Sequence, residues 1–201
     1  MAAGGTFVTT FFSGMVDEND LVVMGGYPAE LREVLGLWVE EYDAPKPDQT
    51  NEMVLQRPLG DLKGSFKCGL LCAIIHPEAA EVLATYGKDF YAGQPALTRH
   101  RFGEGTAWYI GSDPEPALVE GLLAHLCAER GIKPTLAAPA GVEVTQRRKD
   151  DQVLTFVLNH RDELAKLDLG DQAGRDLLTG KMRSGQVEIA GRGVTIVRRG
   201  G

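Results

Sequence analysis

The sequence has no apolar run of the roughly 20 residues that a membrane-spanning helix needs. Its first residues, Met1–Gly5, include neither a basic segment nor the long apolar segment of a secretory signal. Cysteine is scarce, since only three occur in 201 residues, and an odd number does not suit a disulfide framework. These absences argue against a disulfide-stapled secreted protein and predict a protein of the reducing cytoplasm.

Basic clusters of the size that attracts nucleic acids or anionic membranes are also missing. The chain carries 21 Lys and Arg against 28 Asp and Glu, which gives a formal net charge of −7. Its densest basic runs are Arg147–Lys149 and Arg198–Arg199, and runs this short are usually solvated. We therefore predict no nucleic-acid partner and no membrane partner.

What the sequence does have is a β-branched and aromatic opening segment, Thr6–Phe12, with little polar alternation. Such a run is typical of a strand that is buried on both faces, as in the parallel sheet of an α/β fold. The pair Gly4-Gly5 before it is typical of the left-handed end of a helix. Because a central parallel strand needs neighbours on both sides, we expect the fold to be incomplete at its N-terminus.

Further along, local signals alternate between turns, helices and short strands. Pro28 fits the first turn of a short helix that Gly36 ends, and Gly103-Glu104-Gly105 predicts a hairpin turn. Ser112 or Asp113 is expected to cap a longer helix. Residues 136–141 are expected to form a linker, followed by a small antiparallel β module. The segments expected to be strands are 37–42, several within 53–75, 81–85, 97–102, 106–110, 142–146, 153–158, 165–169, 187–190 and 194–197.

Long strings of the sequence form a recognisable series. Residues 4–14 read Gly-Gly-Thr-Phe-Val-Thr-Thr-Phe-Phe-Ser-Gly, and residues 25–28 read Gly-Gly-Tyr-Pro. Further strings of the series are 16–20, 82–93, 99–111, 157–160 and 176–180. In this order they resemble the family-42 glycoside hydrolases of β-galactosidase type: the earlier strings are similar to the family's trimerisation domain and the last two to its C-terminal β domain. The resemblance covers essentially the whole chain.

The resemblance implies a parent of three parts: a (β/α)8 barrel that hydrolyses terminal β-galactosides with retention, a middle domain that drives trimer formation, and a small β domain. It implies an α/β fold class for this chain. Residues 1–136 would be a partial domain, N-terminally incomplete, of flavodoxin-like or class I glutamine amidotransferase-like fold, and residues 137–201 an antiparallel β domain. We expect a non-catalytic assembly and accessory region of a bacterial β-galactosidase in carbohydrate metabolism, with a homotrimer or the barrel as partner.

Two other functions stay open. The chain could be one half of a split β-galactosidase that is active only with a separate barrel chain. Alternatively, its C-terminal β module could bind carbohydrate, although Phe156 is the only Phe, Tyr or Trp between Val142 and Gly201 that could form a sugar platform. The large aromatic residues available for either core or interface are Phe11, Phe12, Tyr27, Trp38, Phe90, Tyr91 and Trp108.

The one candidate for glycosidase chemistry is the pair Asn51-Glu52. Retaining glycosidases need two carboxyl groups about 5–5.5 Å apart, and the family's acid/base residue is similar to an Asn-Glu pair at the end of a barrel strand. Here the pair follows a proline-containing loop with no barrel strands around it. We expect Glu52 to be a solvated loop residue.

Metal and nucleophile candidates are equally sparse. The acidic run Asp17–Asp20 lacks the length and glycine placement of an EF-hand loop, so we expect an exposed acidic loop. The family resemblance implies that this loop lies at the surface near a neighbouring subunit. Cys68, Cys72 and His76 could begin a zinc site, but on a regular strand they would spread over about 26 Å. Cys127 is expected near a helix end, where the dipole disfavours a thiolate.

The remaining candidates carry no mechanism of their own. Gly103-Glu104-Gly105 joins two expected strands, so a hairpin is favoured over a phosphate-binding loop. His100, His125 and His160 are isolated, and an imidazole without a carboxylate or thiol partner implies no chemistry. We therefore predict no catalytic residue, no cofactor-binding residue and no metal ligand in this chain, and no cofactor.

Overall fold

The computed structural model describes residues 1–200 and divides the chain into two compact units, Met1–Gly131 and Ile132–Gly201. The strands of the first unit are β1 (Thr6–Thr10), β2 (Leu37–Asp43), β3 (Asn51–Leu55), β4 (Ser65–Pro77), β5 (Glu81–Tyr86), β6 (Pro95–Phe102), β7 (Gly105–Ile110) and β8 (Ser112–Pro114). Its helices are α1 (Arg32–Leu35), preceded by a 3-10 turn at Ala29–Leu31, and α2 (Pro116–Glu129).

One eight-stranded sheet organises the first unit, in the order β1-β7-β6-β5-β3-β4-β2, with β8 also paired to β4. β8 follows β7 after a single residue, Gly111, whose carbonyl accepts a 2.8 Å hydrogen bond from the Ala73 amide of β4. Because β7 and β4 meet through β8, the sheet curls until its path nearly closes. Phe12, two residues after β1, and Tyr42 of β2 consequently have ring centroids only 5.1 Å apart, although β1 and β2 are the two ends of this path.

Alternation along β7 separates two cores on opposite faces of this sheet. Trp108 and Ile110 belong to one core, which also contains the buried α2 residues Leu118, Leu122 and Leu126. Ala107 and Tyr109 face the other core, which forms against α1 with Leu35, Leu37, Val39, Ala73 and Ile75. The strand that is buried on both faces is therefore β7 rather than the opening segment.

The second unit is a small antiparallel β body. Its strands are β9 (Val142–Lys149), β10 (Gln152–Asn159), β11 (Ala165–Asp168), β12 (Gly174–Asp176), β13 (Met182–Arg183), β14 (Gln186–Ile189) and β15 (Val194–Arg199), with a 3-10 turn at Gly170–Gln172. Five strands pair in the order β13-β12-β15-β10-β9, and β11 pairs with β14. Its core contains Val157, Leu167, Leu169, Val187, Ile189 and Val197.

The expected α/β, flavodoxin-like or class I glutamine amidotransferase-like fold is wrong. The chain is mostly β, with 46% of residues in strands and 12% in helices. A parallel sheet needs a crossover connection between successive strands, usually a helix, but here β6 and β7 form a hairpin at Gly103-Glu104 and most pairings are antiparallel. In the described residues only β1 and β7 pair in parallel.

The opening strand also differs from its expected setting. β1 lies at the edge of the sheet, where it pairs only with β7, and its side chains are exposed or half-buried. Its run of β-branched and aromatic residues correctly indicated a strand with a parallel neighbour. The run could not show how many neighbours that strand would have.

The expected start of the longer helix is wrong by several residues. Ser112 and Asp113 do not cap α2; they lie in β8, where Ser112 pairs with Cys72 and Asp113 with Gly69. The helix begins at Pro116, which occupies its first turn, and residue Glu115 precedes it. The capping signal was local, whereas the pairing with β4 that overrides it joins residues about 40 positions apart in sequence.

Candidate assembly surface

Large apolar side chains are concentrated on the segment that follows β1. Phe12, Val16, Leu21, Val22 and Met24 are all exposed, and the exposed fraction reaches 64% for Leu21 and 88% for Met24. We call these five residues the assembly surface. Single exposed apolar residues are ordinary, but several on one short segment mark an interaction site.

Hydrogen bonds hold the tip of this segment in a defined turn. Val16 and Val22 form an antiparallel bridge, and the Val23 amide donates to the Met15 carbonyl at 3.0 Å. The Asp17 carboxylate accepts hydrogen bonds from the amides of Asn19, at 2.8 Å, and Leu21, at 3.0 Å. These backbone bonds, the one from Asn19 first, lower the pKa of Asp17. The exposed acidic loop expected at residues 17–20 is confirmed, and Asp17 shapes the turn that presents Leu21.

Aromatic contacts anchor the base of the segment to β2. The ring of Phe12 lies 5.1 Å from that of Tyr42, edge to face, and Tyr27 lies 5.8 Å from Tyr42 on the other side of the segment. The Tyr42 hydroxyl is 3.4 Å from the Tyr109 hydroxyl of β7. The assembly surface is therefore attached at both of its ends to the curled sheet.

The sequence left open which of its large aromatic residues belong to the core and which to an interface. Their burial in the structure separates the two groups. Trp108 and Tyr91 are core residues, Phe12 and Phe90 are exposed, and Phe11, Tyr27 and Trp38 are half-buried. Sequence reasoning missed the aliphatic members of the assembly surface. The signal was present as the run Leu21-Val22-Val23-Met24, an apolar stretch between an acidic turn and two glycines.

The pair Asn51-Glu52 lies in β3, where each side chain has a structural partner. Asn51 is buried, and its amide group donates to the Lys88 carbonyl and accepts from the Lys88 amide, each at 3.0 Å. Glu52 forms a 2.7 Å ion pair with the Lys88 ammonium group, whose hydrogen bond is the main reason that the pKa of Glu52 is lowered. The expected loop position is wrong, since Glu52 is a half-buried strand residue.

The residues considered for a zinc site do not come together as a group of three. Cys68 and Cys72 are buried in the core beside α2. His76 lies further along β4, stacked on Trp38 with ring centroids 4.4 Å apart, and its Nε2 is 2.6 Å from the Glu40 carboxylate. Within residues 1–200, no cluster of three or more His, Cys, Asp or Glu side chains is arranged to hold a metal ion.

The other histidines have separate structural contacts. His100 Nδ1 is 2.9 Å from the Val34 carbonyl, and His125 lies edge to face with Trp108. The expectation that these histidines lack a carboxylate partner is wrong for His160, whose Nε2 is 3.1 Å from the Glu143 carboxylate on the surface of the second unit. Cys127 is exposed on α2. Across residues 1–200, neither helix combines the length and the apolar composition that crossing a membrane would require.

Comparison with known families identifies the class of protein to which this arrangement belongs. Residues 1–133 match the model of the β-galactosidase trimerisation domain, and residues 141–199 match that of the β-galactosidase C-terminal domain. The chain therefore belongs to the family-42 β-galactosidases and represents their trimerisation and C-terminal region, outside the catalytic barrel.

Individual relatives show the same coverage. The chain is 49% identical to the β-galactosidase BgaP of Planococcus sp. strain L4 over 98% of its own length but only 29% of BgaP. It superposes on the crystal structure of the β-galactosidase from Bacillus circulans sp. alkalophilus with a TM-score of 0.90 at 55% identity, and on Gan42B, a family-42 β-galactosidase from G. stearothermophilus, with a TM-score of 0.84 at 30% identity. It covers 29% and 28% of those two chains, respectively.

Proposed function

We propose that this chain holds three copies of a bacterial, cytoplasmic β-galactosidase together as a homotrimer, while a barrel elsewhere in the complete enzyme hydrolyses terminal β-galactosides. The observation that carries the proposal is the assembly surface, whose exposed apolar residues lie on a segment fixed at both ends. The family model that covers this segment is described as a trimerisation domain, which supports a second copy of the chain as the occupant.

A threefold arrangement constrains how the surface is used. In a twofold dimer one patch contacts its own equivalent, whereas a cyclic trimer joins two different patches of neighbouring copies. The assembly surface would therefore pack against another part of the adjacent copy. Because the contact is apolar, its burial would contribute about 25 cal/mol per Å² of area removed from water.

We also propose that the functional boundary lies between residues 136 and 137, with assembly assigned to residues 1–136 and an accessory role to residues 137–201. Support comes from the gap between residues 133 and 141, which neither family model covers. Most residues of this gap are exposed and none lies in a strand, so the accessory module could be removed there without cutting a strand.

Charge introduced into the assembly surface tests the proposal. In the double variant Leu21→Asp/Met24→Asp, light scattering should show single chains at a concentration where the unaltered chain is trimeric. The control is Leu123→Asp, which introduces the same charge at an apolar residue that is 48% exposed on α2, outside the assembly surface. Retained trimers in the double variant, or dissociation in both variants, would assign assembly to another part of the chain.

A further inference from the structure

A bulge in β4 brings two buried cysteines side by side. Cys68 and Cys72 are four residues apart, which in a regular strand separates their Cα atoms by about 13 Å. In the structure Cys68 pairs with Pro114 and Cys72 with Ser112, only two positions apart on β8. Two strand positions span about 6.6 Å, which falls within the Cα separation of about 4.4–6.8 Å that a disulfide allows.

The bulge contains Leu70 and Leu71, and Leu70 has a left-handed backbone with φ of 61°. Both cysteines point into the same apolar core, since their neighbours there include Trp108 and Ile110. Cys72 Sγ is 3.6 Å from the Ser112 hydroxyl. The bulge therefore places the two thiols on one side of β4 and next to each other.

Each thiol is the largest influence on the pKa of the other. A hydrogen bond from the Cys68 thiol lowers the pKa of Cys72 to about 6, while the same contact raises the pKa of Cys68. The first proton therefore leaves the pair more readily than the second. A thiolate is the form of cysteine that reacts as a nucleophile.

Small solutes have a route to this pair. Cys68 lines an open groove together with Thr50, Lys67, Asp113 and Glu115. Cys72 lies behind it and is completely buried. A large reagent would be excluded from Cys72, whereas a molecule the size of a peroxide could enter beside Cys68.

We propose that Cys68 and Cys72 form a two-thiol site that a small peroxide oxidises to an intramolecular disulfide. Peroxide that enters beside Cys68 is attacked at one oxygen by the Cys72 thiolate, the O–O bond breaks, and the leaving hydroxide takes up the proton that Cys72 had released, so that a sulfenic acid and one water form. The second thiol then attacks the sulfenic sulfur, the S–O bond breaks, and a second water leaves as the S–S bond forms. Two thiols lose two electrons, and hydrogen peroxide is reduced to two waters.

The disulfide would close the bulge at its base and hold Leu70, which is exposed to 63%, in its left-handed conformation. Oxidation of Cys127 could not have this effect, because Cys127 is exposed on α2 whereas Cys68 and Cys72 are buried together in the core. Oxidation of Cys127 would produce a stable sulfenic acid, a higher acid or a bridge between two chains.

Peroxide treatment followed by mass spectrometry tests the proposal on the folded 201-residue chain. In the Cys127→Ser background, hydrogen peroxide should remove two hydrogen atoms from the peptide that contains residues 68 and 72, and the protein denatured without reductant should take up no alkylating agent. Oxygen added to exposed methionines such as Met24 and Met182 is assigned separately from their own peptides. Peptide mapping should recover residues 68 and 72 in one cross-linked peptide. Two alkylated cysteines after treatment, or oxygen added to Cys68 or Cys72 without a cross-link, would overturn the proposal.

The Cys72→Ala variant in the same background provides the matched control. Its remaining Cys68 should gain oxygen or stay alkylatable, and no mass loss of two hydrogens should occur. The test on the chain with both cysteines requires no core substitution, so it stands even if this variant fails to fold. Equal disulfide formation in native and urea-unfolded protein would show that the bulge does not bring the thiols together, and would also contradict the proposal.

Discussion

The ring of Phe12 lies 5.1 Å from the ring of Tyr42, although the strands beside them stand at opposite ends of the sheet path. This contact exists because β8 pairs with β4 and curls the sheet. It fixes the start of the segment whose tip exposes Leu21 and Met24. The position of the assembly surface thus depends on a long-range strand pairing, and the proposed role of that surface in assembly depends on the same pairing.

A side chain at Gly14, in the segment that carries the assembly surface, is expected to destabilise the chain. A Cβ there would lie 2.3 Å from the Pro28 carbonyl oxygen, and the residue has φ of 67°. We expect Gly14→Ala to lower the free energy of unfolding by about 2–4 kcal/mol, from backbone strain and overpacking together. Chemical denaturation monitored by circular dichroism measures the loss.

Gly131→Ala is the matched control for that substitution. Gly131 has φ of 64° and no atom within 4 Å of an added Cβ, so only the backbone penalty of about 1 kcal/mol should remain. An equal loss of unfolding free energy in the two variants would show that the close approach of Gly14 to Pro28 does not add to the cost of the substitution.

Neighbouring leucines of α2 should respond differently to truncation. Leu122 is buried in the core with Trp108, whereas Leu123 is half exposed. We expect Leu122→Ala to lower the free energy of unfolding by about 2–5 kcal/mol, through lost burial and a residual cavity, and Leu123→Ala by less than about 0.5 kcal/mol. A urea titration compares them, and similar midpoints would contradict the packing described for α2.

Asp176 should make the second unit sensitive to acid. Burial alone would raise its pKa, but hydrogen bonds from Thr179, the Leu178 amide and Arg183 outweigh burial and lower the pKa from 3.8 to about 2. The ionised carboxylate therefore stabilises the unit above about pH 4. This contribution of about 2 kcal/mol is lost as the pH falls towards 2.

Asp176→Asn should remove most of this contribution at pH 7 and flatten the stability profile between pH 4 and pH 2. Asp162→Asn is the control, because the Asp162–Arg192 pair is exposed and exposed pairs contribute little. Thermal unfolding across that pH range measures both variants. A profile for Asp176→Asn as steep as that of the unaltered chain would contradict the assignment.

The strand position of Glu52 predicts that it has no part in glycoside cleavage. Its carboxylate is paired with Lys88, and a lone carboxylate cannot act as both acid/base and nucleophile. We expect the chain by itself to release no product from an aryl β-galactoside. Measurable hydrolysis that Glu52→Gln abolishes would show that this chain contains catalytic machinery.

Turn residues and strand periodicity predicted those elements whose structure depends only on residues close together in the sequence. The hairpin at Gly103-Glu104, the strand from Leu37 and the antiparallel character of the second unit are confirmed, because turn residues and strand periodicity encode them within a few positions. The long strings shared with the family also identified the family correctly, because such a match depends only on the order of residues along the chain and not on how they pair in space.

Features set by distant pairing could not be predicted in this way. The strand β8 carries residues that would equally cap a helix, and the bulge at Leu70 exists only because β4 must pair with β8. The assembly surface was missed because apolar residues in a loop have no periodicity, so only the folded chain shows whether they are buried. The flavodoxin-like expectation was carried over from the family resemblance, and the opening strand could not correct it, because one apolar strand does not specify the direction of the other strands in its sheet.

The mass of the unaltered 201-residue chain in solution tests the central claim most directly. Multi-angle light scattering, followed over a dilution series, should give three times the mass of one chain and a return to single chains only on dilution. A single-chain mass at every concentration, with circular dichroism showing a folded β protein, would contradict the assignment of this region to assembly.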